Sequence, residues 1–317
     1  MRILIFLVSG WVWGQDILDA AHFPDPQFLA ALQGQYPGGL TSAEAASLGT
    51  LNVASQNIAD VTGIEHFTGL EFLVIRYNQI GVLPDLGLFP NLIGFYCNSN
   101  LLTALPGLET LANLSYLNCS NNPLSTLPDL TGLPLEYLNA SSCPIRELPW
   151  LGNIPTLREL RLMDMGLSGL PDLTALTGLQ QVYLTRNRIP SLNFAETADI
   201  RNLYLADNLL AELPDLGFYP NLVNVHVYNN LIIDFPVFPN NPALETVYAG
   251  GNLLTTDDCP NILAAIAMPG VSVQYTGQGN FKNHFAEFPN WPTSQSVLYW
   301  VDLLYWRPYI YTLDCEN

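Results

Sequence analysis

The chain has 317 residues, 49% of them hydrophobic, and carries 28 acidic against 10 basic residues, a formal charge of −18 at pH 7. Lys282 is its single lysine. Nucleic acid and anionic membrane surfaces both recruit clustered Lys and Arg, so this balance argues against either as a partner and suits a protein of an ion-rich exterior.

Residues 1–14, MRILIFLVSGWVWG, have the build of a secretory signal peptide: Arg2, an apolar run over residues 3–8, then Gly14 before Gln15. The expectation is an extracytoplasmic protein, secreted or at the cell surface. No later run approaches the roughly 18 apolar residues of a membrane span. Residues 15–47 read as a helical N-terminal cap. Asp25 followed by Pro26 is a helix start, because the aspartate side chain caps the first turn and proline needs no amide hydrogen there. Phe28, Leu29 and Leu32 give that helix an apolar stripe. Thr41 with Glu44 reads as a capping box opening a second short helix.

From residue 48 to 257 the chain is periodic. The stretch LSYLNCSNNPLSTLPDL, 114–130, belongs to a unit that recurs ten times, starting at Leu48, Leu70, Leu92, Leu114, Leu135, Leu157, Leu179, Ile200, Leu222 and Leu244. The steps are 22 residues, except for 21 after Leu114 and after Leu179. Positions four and six are apolar throughout. Position nine is asparagine in seven units: Asn78, Asn100, Asn122, Asn187, Asn208, Asn230 and Asn252; Gln56, Cys143 and Met165 fill the other three. Positions three to seven alternate as a strand does, with four and six facing the core. The ninth side chain is placed to bond buried backbone where the chain turns away from the strand. One unit cannot bury its own apolar face. The units must therefore stack, with their strands paired into a parallel sheet on one side of a solenoid.

This pattern, L-x-x-L-x-L-x-x-N/C-x-L, resembles the leucine-rich repeat family. The stretch AAHFPDPQFLAALQGQYPGGLTSAEAASLGTLNVASQNIADVTGIEHFTGL looks like the N-terminal cap and first repeat of bacterial internalin-like members. The resemblance implies an α/β solenoid with a parallel β-sheet on the concave face and short extended or 3-10 segments on the convex face. It also implies protein recognition, without naming a partner. Many such relatives carry an acidic calcium-type loop between the two cap helices. Here that segment is GQYPGGL, which lacks the carboxylates calcium needs, so no calcium is expected there.

The second half of each unit is short and proline-rich, as in LPDLGLFPNL at 83–92 and LPDLGFYPNL at 213–222. Proline there forbids a long helix. Asp85, Asp129, Asp172 and Asp215 follow that proline in alternate units, either as a comb for cations or as a solvated turn face. Residues 258–280 read as a C-terminal cap. Residues 281–317 are aromatic-rich, with ten aromatics in 37 residues against 11% for the whole chain, and form either a further cap or a docking or export tail. Cys97, Cys119 and Cys143 sit at inward positions and read as buried thiols. Cys259 and Cys315 lie outside the repeats of an exported chain and are candidates for a disulfide.

Positions three, five and seven point away from the core and stack into columns on the concave face. Tyr116 and Tyr137 stand in column three. Tyr96, Arg161, Tyr183, Tyr204, His226 and Tyr248 stand in column five, and Arg76 and Tyr228 in column seven, with Arg186 adding charge beside them. Cross-strand aromatic pairs stabilise a sheet by about 0.2–1 kcal/mol each. Tyrosine also supplies rigid amphipathic contact area, and a column broken by Asn118 and Asn139 favours binding over a purely structural ladder. The histidines lack metal-ligand spacing, and neither a nucleophile context nor a phosphate-cradling glycine loop is present. No catalysis, cofactor or metal is expected. The expected function is an exported binding module. Its tyrosine-rich concave face would recognise a protein, and its arginines would read acidic groups on that partner. Two alternatives stay open: glycan binding, by the same tyrosines with Asn118, Asn139 and Asn224, and a structural role in the cell envelope.

Overall fold

Each unit folds its positions three to five into a three-residue strand. In the computed structural model, which describes residues 15–279, 310, 311, 313 and 315, these strands are β1 Thr50–Asn52, β2 Phe72–Val74, β3 Gly94–Tyr96, β4 Tyr116–Asn118, β5 Tyr137–Asn139, β6 Glu159–Arg161, β7 Gln181–Tyr183, β8 Asn202–Tyr204, β9 Asn224–His226 and β10 Thr246–Tyr248. Every strand pairs in parallel with the next, and like positions stand side by side: Leu51 with Leu73, Leu73 with Phe95, Val225 with Val247. An eleventh strand, β11 Ser272–Gln274, extends the sheet beyond the ten units. Thr246 pairs with Ser272, 26 positions on, because a helix, Cys259–Ile266, replaces the usual short convex turn. The α/β solenoid expected from the periodicity is the fold observed.

Positions four and six are buried in every unit, and the core runs without a break from Ile17 to Cys315. The convex wall carries single 3-10 turns at Ile64–His66, Leu86–Leu88, Leu108–Thr110, Leu151–Asn153 and Leu216–Phe218. The repeated aspartates have a role there. Asp85 and Asp215 accept the amide hydrogens of Gly87 and Gly217 at 2.8 Å, and Asp129 and Asp172 do the same for Thr131 and Thr174 at 2.8 and 2.9 Å. They cap turns. Among the described residues no group of three or more His, Cys, Asp or Glu gathers in a way that could hold a metal ion.

The ninth-position asparagines form a buried ladder. Asn78 Oδ1 accepts from the amides of Gln56 and Ile58 at 3.0 Å, while its Nδ2 donates to the carbonyls of Val53 and Ile75 at 2.9 Å. The inward aim depends on the residue before. Position eight is left-handed in unit after unit, with φ of 57° at Tyr77, 58° at Ser99, 55° at Asn121 and 54° at Asn229. A further rung lies past the ten units: Gln278 Oε1 accepts from the Asn252 amide at 3.0 Å, and its Nε2 donates to the Ala249 carbonyl at 3.2 Å. The ladder thins in the middle. Cys143 donates one weak bond, to the Cys119 carbonyl at 3.4 Å, and a methionine side chain at 165 donates none.

Both ends are closed by local devices. Helix α1, Pro26–Gln35, is capped by Asp25, whose Oδ1 accepts from Gln27 and Phe28 at 2.8 and 2.9 Å. Its Oδ2 accepts from Ala59 and Asp60 at 2.9 and 3.0 Å, tying the cap to the first unit. Burial opposes the charge, but the four amides outweigh it and hold this carboxyl below its ordinary value. Helix α2, Ser42–Ser47, opens on the reciprocal Thr41–Glu44 capping box. At the other end lies α3, Cys259–Ile266, and a disulfide joins Cys259 to Cys315 with their Cα atoms 5.2 Å apart. Cys97, Cys119 and Cys143 are buried free thiols. Residues 1–14, expected to be a signal peptide, and nearly all of the aromatic-rich stretch 281–317 lie outside the described residues. Among the described residues no helix is long and apolar enough to cross a membrane.

The ladder makes a quantitative demand on stability. Asn122→Ala leaves the buried Leu102 amide without its partner and takes one of two donors from each of the Cys97 and Cys119 carbonyls, which keep Asn100 and Cys143. At roughly 1–3 kcal/mol for the unpaired amide and about 0.5–1 kcal/mol for each carbonyl bond lost, the expected loss is about 3 kcal/mol in urea unfolding. Asp85→Ala, at an exposed turn cap, costs about 1 kcal/mol. Equal losses for the two variants would show that the ladder bonds are not what holds adjacent units together.

Candidate functional site

In-register pairing sets each outward side chain about 4.8 Å from its counterparts in the neighbouring units. Column five therefore brings four rings into contact over β7 to β10. Tyr183 and Tyr204 stack at 4.8 Å between centroids and 5° between planes. Tyr204 meets His226 edge-on at 4.7 Å, and His226 stacks on Tyr248 at 4.4 Å and 22°. From the β6 side the Arg161 guanidinium lies 4.2 Å from the Tyr183 ring centre, a cation–π contact that closes the row.

Column three runs alongside as a polar track. Asn224 Nδ2 donates to Asn202 Oδ1 at 2.7 Å, the Thr246 hydroxyl donates to Asn224 Oδ1, and His226 Nε2 lies 3.0 Å from Thr246 Oγ1. The Tyr183 hydroxyl donates to Gln181 Oε1 at 2.9 Å. Arg161 is held by Glu159 on the same strand. Burial works against the Arg161 charge, but the bond to Glu159 outweighs it and moves its pKa up. Burial raises the Tyr183 phenol against the opposing pull of Arg161, and lowers His226 so that the neutral imidazole is favoured.

A second patch covers β2 to β5. Tyr116 and Tyr137 face each other at 6.5 Å and 29°. Phe72 and Tyr96 close over Gly94, where an added Cβ would lie 2.7 Å from the Phe72 ring and 3.2 Å from that of Tyr96. Glycine is what admits both rings. Burial raises the Tyr96 phenol. In column five of the same patch, Asn118 Oδ1 accepts from the Ser120 amide and hydroxyl at 3.2 and 2.8 Å, and Asn139 Oδ1 accepts from the Ser141 amide at 3.0 Å.

The structure separates residues that sequence position alone groups together. Arg186 lies in the left-handed turn beyond the strand, φ 59°, where it pairs with Asp164 at 3.4 Å. Arg161 is engaged by Glu159 and Tyr183. Arg76 is exposed, 5.9 Å from the Tyr77 ring centre, with no ion pair among the described residues. Tyr228 is half-buried and outside the ring stack. Tyr77, 57% exposed, and Asn202 and Thr246 were not singled out from the sequence; Asn224, read there as an amide for a glycan, lies between the last two in the track. The track's signal is the in-phase run of Asn202, Asn224 and Thr246 in column three.

Two properties set what the face can do. The rings of Tyr183, Tyr204 and His226 engage one another in the stack, so they present chiefly edges and hydroxyls. The face is also close to neutral: of the 28 carboxylates in the chain, one, Glu159, stands in columns three, five and seven of the ten units, and Arg161 pairs with it.

A family model described as leucine rich repeats in two copies matches residues 90–132. No curated protein matches the chain. Among solved structures, the functional domain of InlJ from Listeria monocytogenes, described as including a cysteine ladder, is 26% identical with a TM-score of 0.74, over 84% of this chain and 58% of that one. The present chain thus spans less than two thirds of the length of that relative. The internalin InlF of Listeria monocytogenes is 19% identical with a TM-score of 0.56, over 80% and 89% of the two chains. The Arabidopsis receptor kinase HAESA, solved in complex with the peptide hormone IDA and the co-receptor SERK1, is 21% identical with a TM-score of 0.54, over 74% and 47%. These last two share the fold. With the strand register and the amide ladder following the same period as the sequence, the chain has the leucine-rich repeat fold and is similar in build to the internalins.

Proposed function

We propose that this protein is an exported, non-catalytic recognition module that takes a protein partner on its concave face. Residues 1–14 direct export, and 15–47 and 258–280 cap the ten repeats. The contact centre is the stack of Tyr183, Tyr204, His226 and Tyr248 with Tyr228 beside it; Tyr96, Tyr116 and Tyr137 form a second patch. The observation that carries this reading is the stack itself. Its rings are half-buried and already held by their neighbours. Little side-chain freedom remains to be lost on binding, which favours affinity. Arg161 and Arg186 keep their internal partners and orient ring and turn, which leaves Arg76 to meet a carboxylate on the partner.

Glycan binding is the weaker reading. A sugar that stacks on tyrosine needs a bare ring face, and the stack occupies those faces. The Asn118 and Asn139 oxygens already accept bonds within their own strand ends.

The test is affinity capture. Residues 15–317 are immobilised beside a variant with Tyr96, Tyr183 and Tyr204 changed to Ser, and mass spectrometry identifies what each retains from surface extracts. A protein held by the first bait alone is the expected result, and free mono- and oligosaccharides should not elute it. Equal retention by both baits would move the site off the concave face. The folded state should survive the triple change, because cross-strand aromatic pairs contribute only about 0.2–1 kcal/mol each. Thermal unfolding of the variant checks this.

A further inference from the structure

The Thr246 hydroxyl has one hydrogen, and it goes to Asn224 Oδ1. That oxygen is the acceptor end of its amide, because Asn224 Nδ2 donates to Asn202 Oδ1 at 2.7 Å. With both amides so oriented, Thr246 Oγ1 is left to accept from His226 Nε2, 3.0 Å away. This places the imidazole hydrogen on Nε2 and leaves Nδ1 with a bare lone pair. Among the described residues Nδ1 has no hydrogen-bond partner. An unpaired acceptor thus sits within the aromatic stack, between Tyr204 and Tyr248.

The titratable and charged groups around it are few. From the β8 side come Tyr204, Arg201 and Asp207, from the β10 side Tyr248 and Glu245, and Tyr228 follows on the same run. Arg201 is held by Asp199, and Asp207 accepts from Asn229. Among the described residues the only histidine in an ion pair is His22, with Asp19. No carboxylate stands ready to balance a charge on His226.

Building on the concave-face reading above, we propose that His226 Nδ1 is the specificity-determining acceptor of the face. It reads an uncharged N–H or O–H donor on a peptide segment of the protein partner, and releases it when the ring is protonated. Protonation turns Nδ1 from acceptor into donor, so that two donors oppose each other across the contact. Burial lowers this histidine from its ordinary value of 6.5. The acceptor is therefore in place at neutral pH and is lost only as the pH falls through the lowered value.

A displayed library of linear peptides, selected on the full chain at about pH 7.5, tests this. Clones that need Tyr204, lost on Tyr204→Ser, should bind about tenfold more weakly to His226→Phe, which keeps an aromatic ring and removes the acceptor. They should weaken progressively as the pH is lowered from about 7.5 through the range in which an imidazole protonates. His226→Gln, an acceptor that does not titrate, should remove the pH dependence. Clones that need Tyr204 but ignore both His226→Phe and acid would sink the proposal while leaving the concave-face reading intact. Failure to recover any Tyr204-dependent clone would count against both. Imidazole nitrogen NMR of the free chain gives a ligand-independent check: the Nε2–H tautomer is expected, and a dominant Nδ1–H form would overturn the assignment.

Discussion

The buried side-chain amide at position nine is the interaction on which the rest of the molecule depends. Where the chain leaves each strand it turns through a left-handed residue, and backbone amides and carbonyls are carried inward without a sheet partner. An asparagine offers two donors and an acceptor within one planar group, which matches that need. Its bonds also cross between units. Asn122 joins the Leu102 amide and Cys97 carbonyl of one unit to the Cys119 carbonyl of its own. The same group that closes the corner therefore fixes how one unit sits on the next, and with it the register of the sheet.

The concave face is a consequence of that register. Residues at one position of the unit have no choice but to stand a strand spacing apart. That spacing is wider than van der Waals contact between parallel rings yet close enough for tilted and offset packing. Tyr183, Tyr204, His226 and Tyr248 take it up by alternating stacked and edge-on geometry. Sheet stabilisation and recognition are not rival uses of these rings. The contacts that hold them also set the edges and hydroxyls they show to solvent, and the Asn202–Asn224–Thr246 track fixes the histidine between them.

What the sequence made legible, and what it hid, divides by range. The repeat period, the inward positions, the Asp25 helix start and the Thr41–Glu44 box are signals spread over a few residues or repeated ten times, and both kinds survive reading in one dimension. The second half of Asp25's work was hidden, because its Oδ2 partners Ala59 and Asp60 lie 34 and 35 residues away. Gln278 and β11 were hidden for a different reason. A 26-residue step carried by a helix breaks the phase, and a glutamine stands where the pattern asks for asparagine. The site was legible as columns but not as chemistry. Column position places Arg161 beside Tyr183; it does not show that Glu159 engages the guanidinium, nor how any ring is turned.

The same columns explain where the acidic charge is not. A run of carboxylates at one concave position would put like charges a strand spacing apart along the whole sheet, and such neighbours repel. The rim at position two meets this constraint by mixing signs: Glu136 faces Arg158 of the next unit at 3.3 Å, while Glu71 and Glu245 adjoin uncharged Ile93 and Val223. A concave face without a run of carboxylates, on a chain of formal charge −18, is therefore what in-register stacking favours. The choice of residue is not. Thr50, Asn52 and Val74 show that small or β-branched side chains serve at positions three and five just as well. Replacing them over β7 to β10 with three tyrosines and a histidine, flanked by an ordered polar track, exceeds what stacking units demands. That excess is continuous over these four strands and recurs more loosely at Phe72, Tyr96, Tyr116 and Tyr137, and it is the part of the surface for which the architecture supplies no reason of its own.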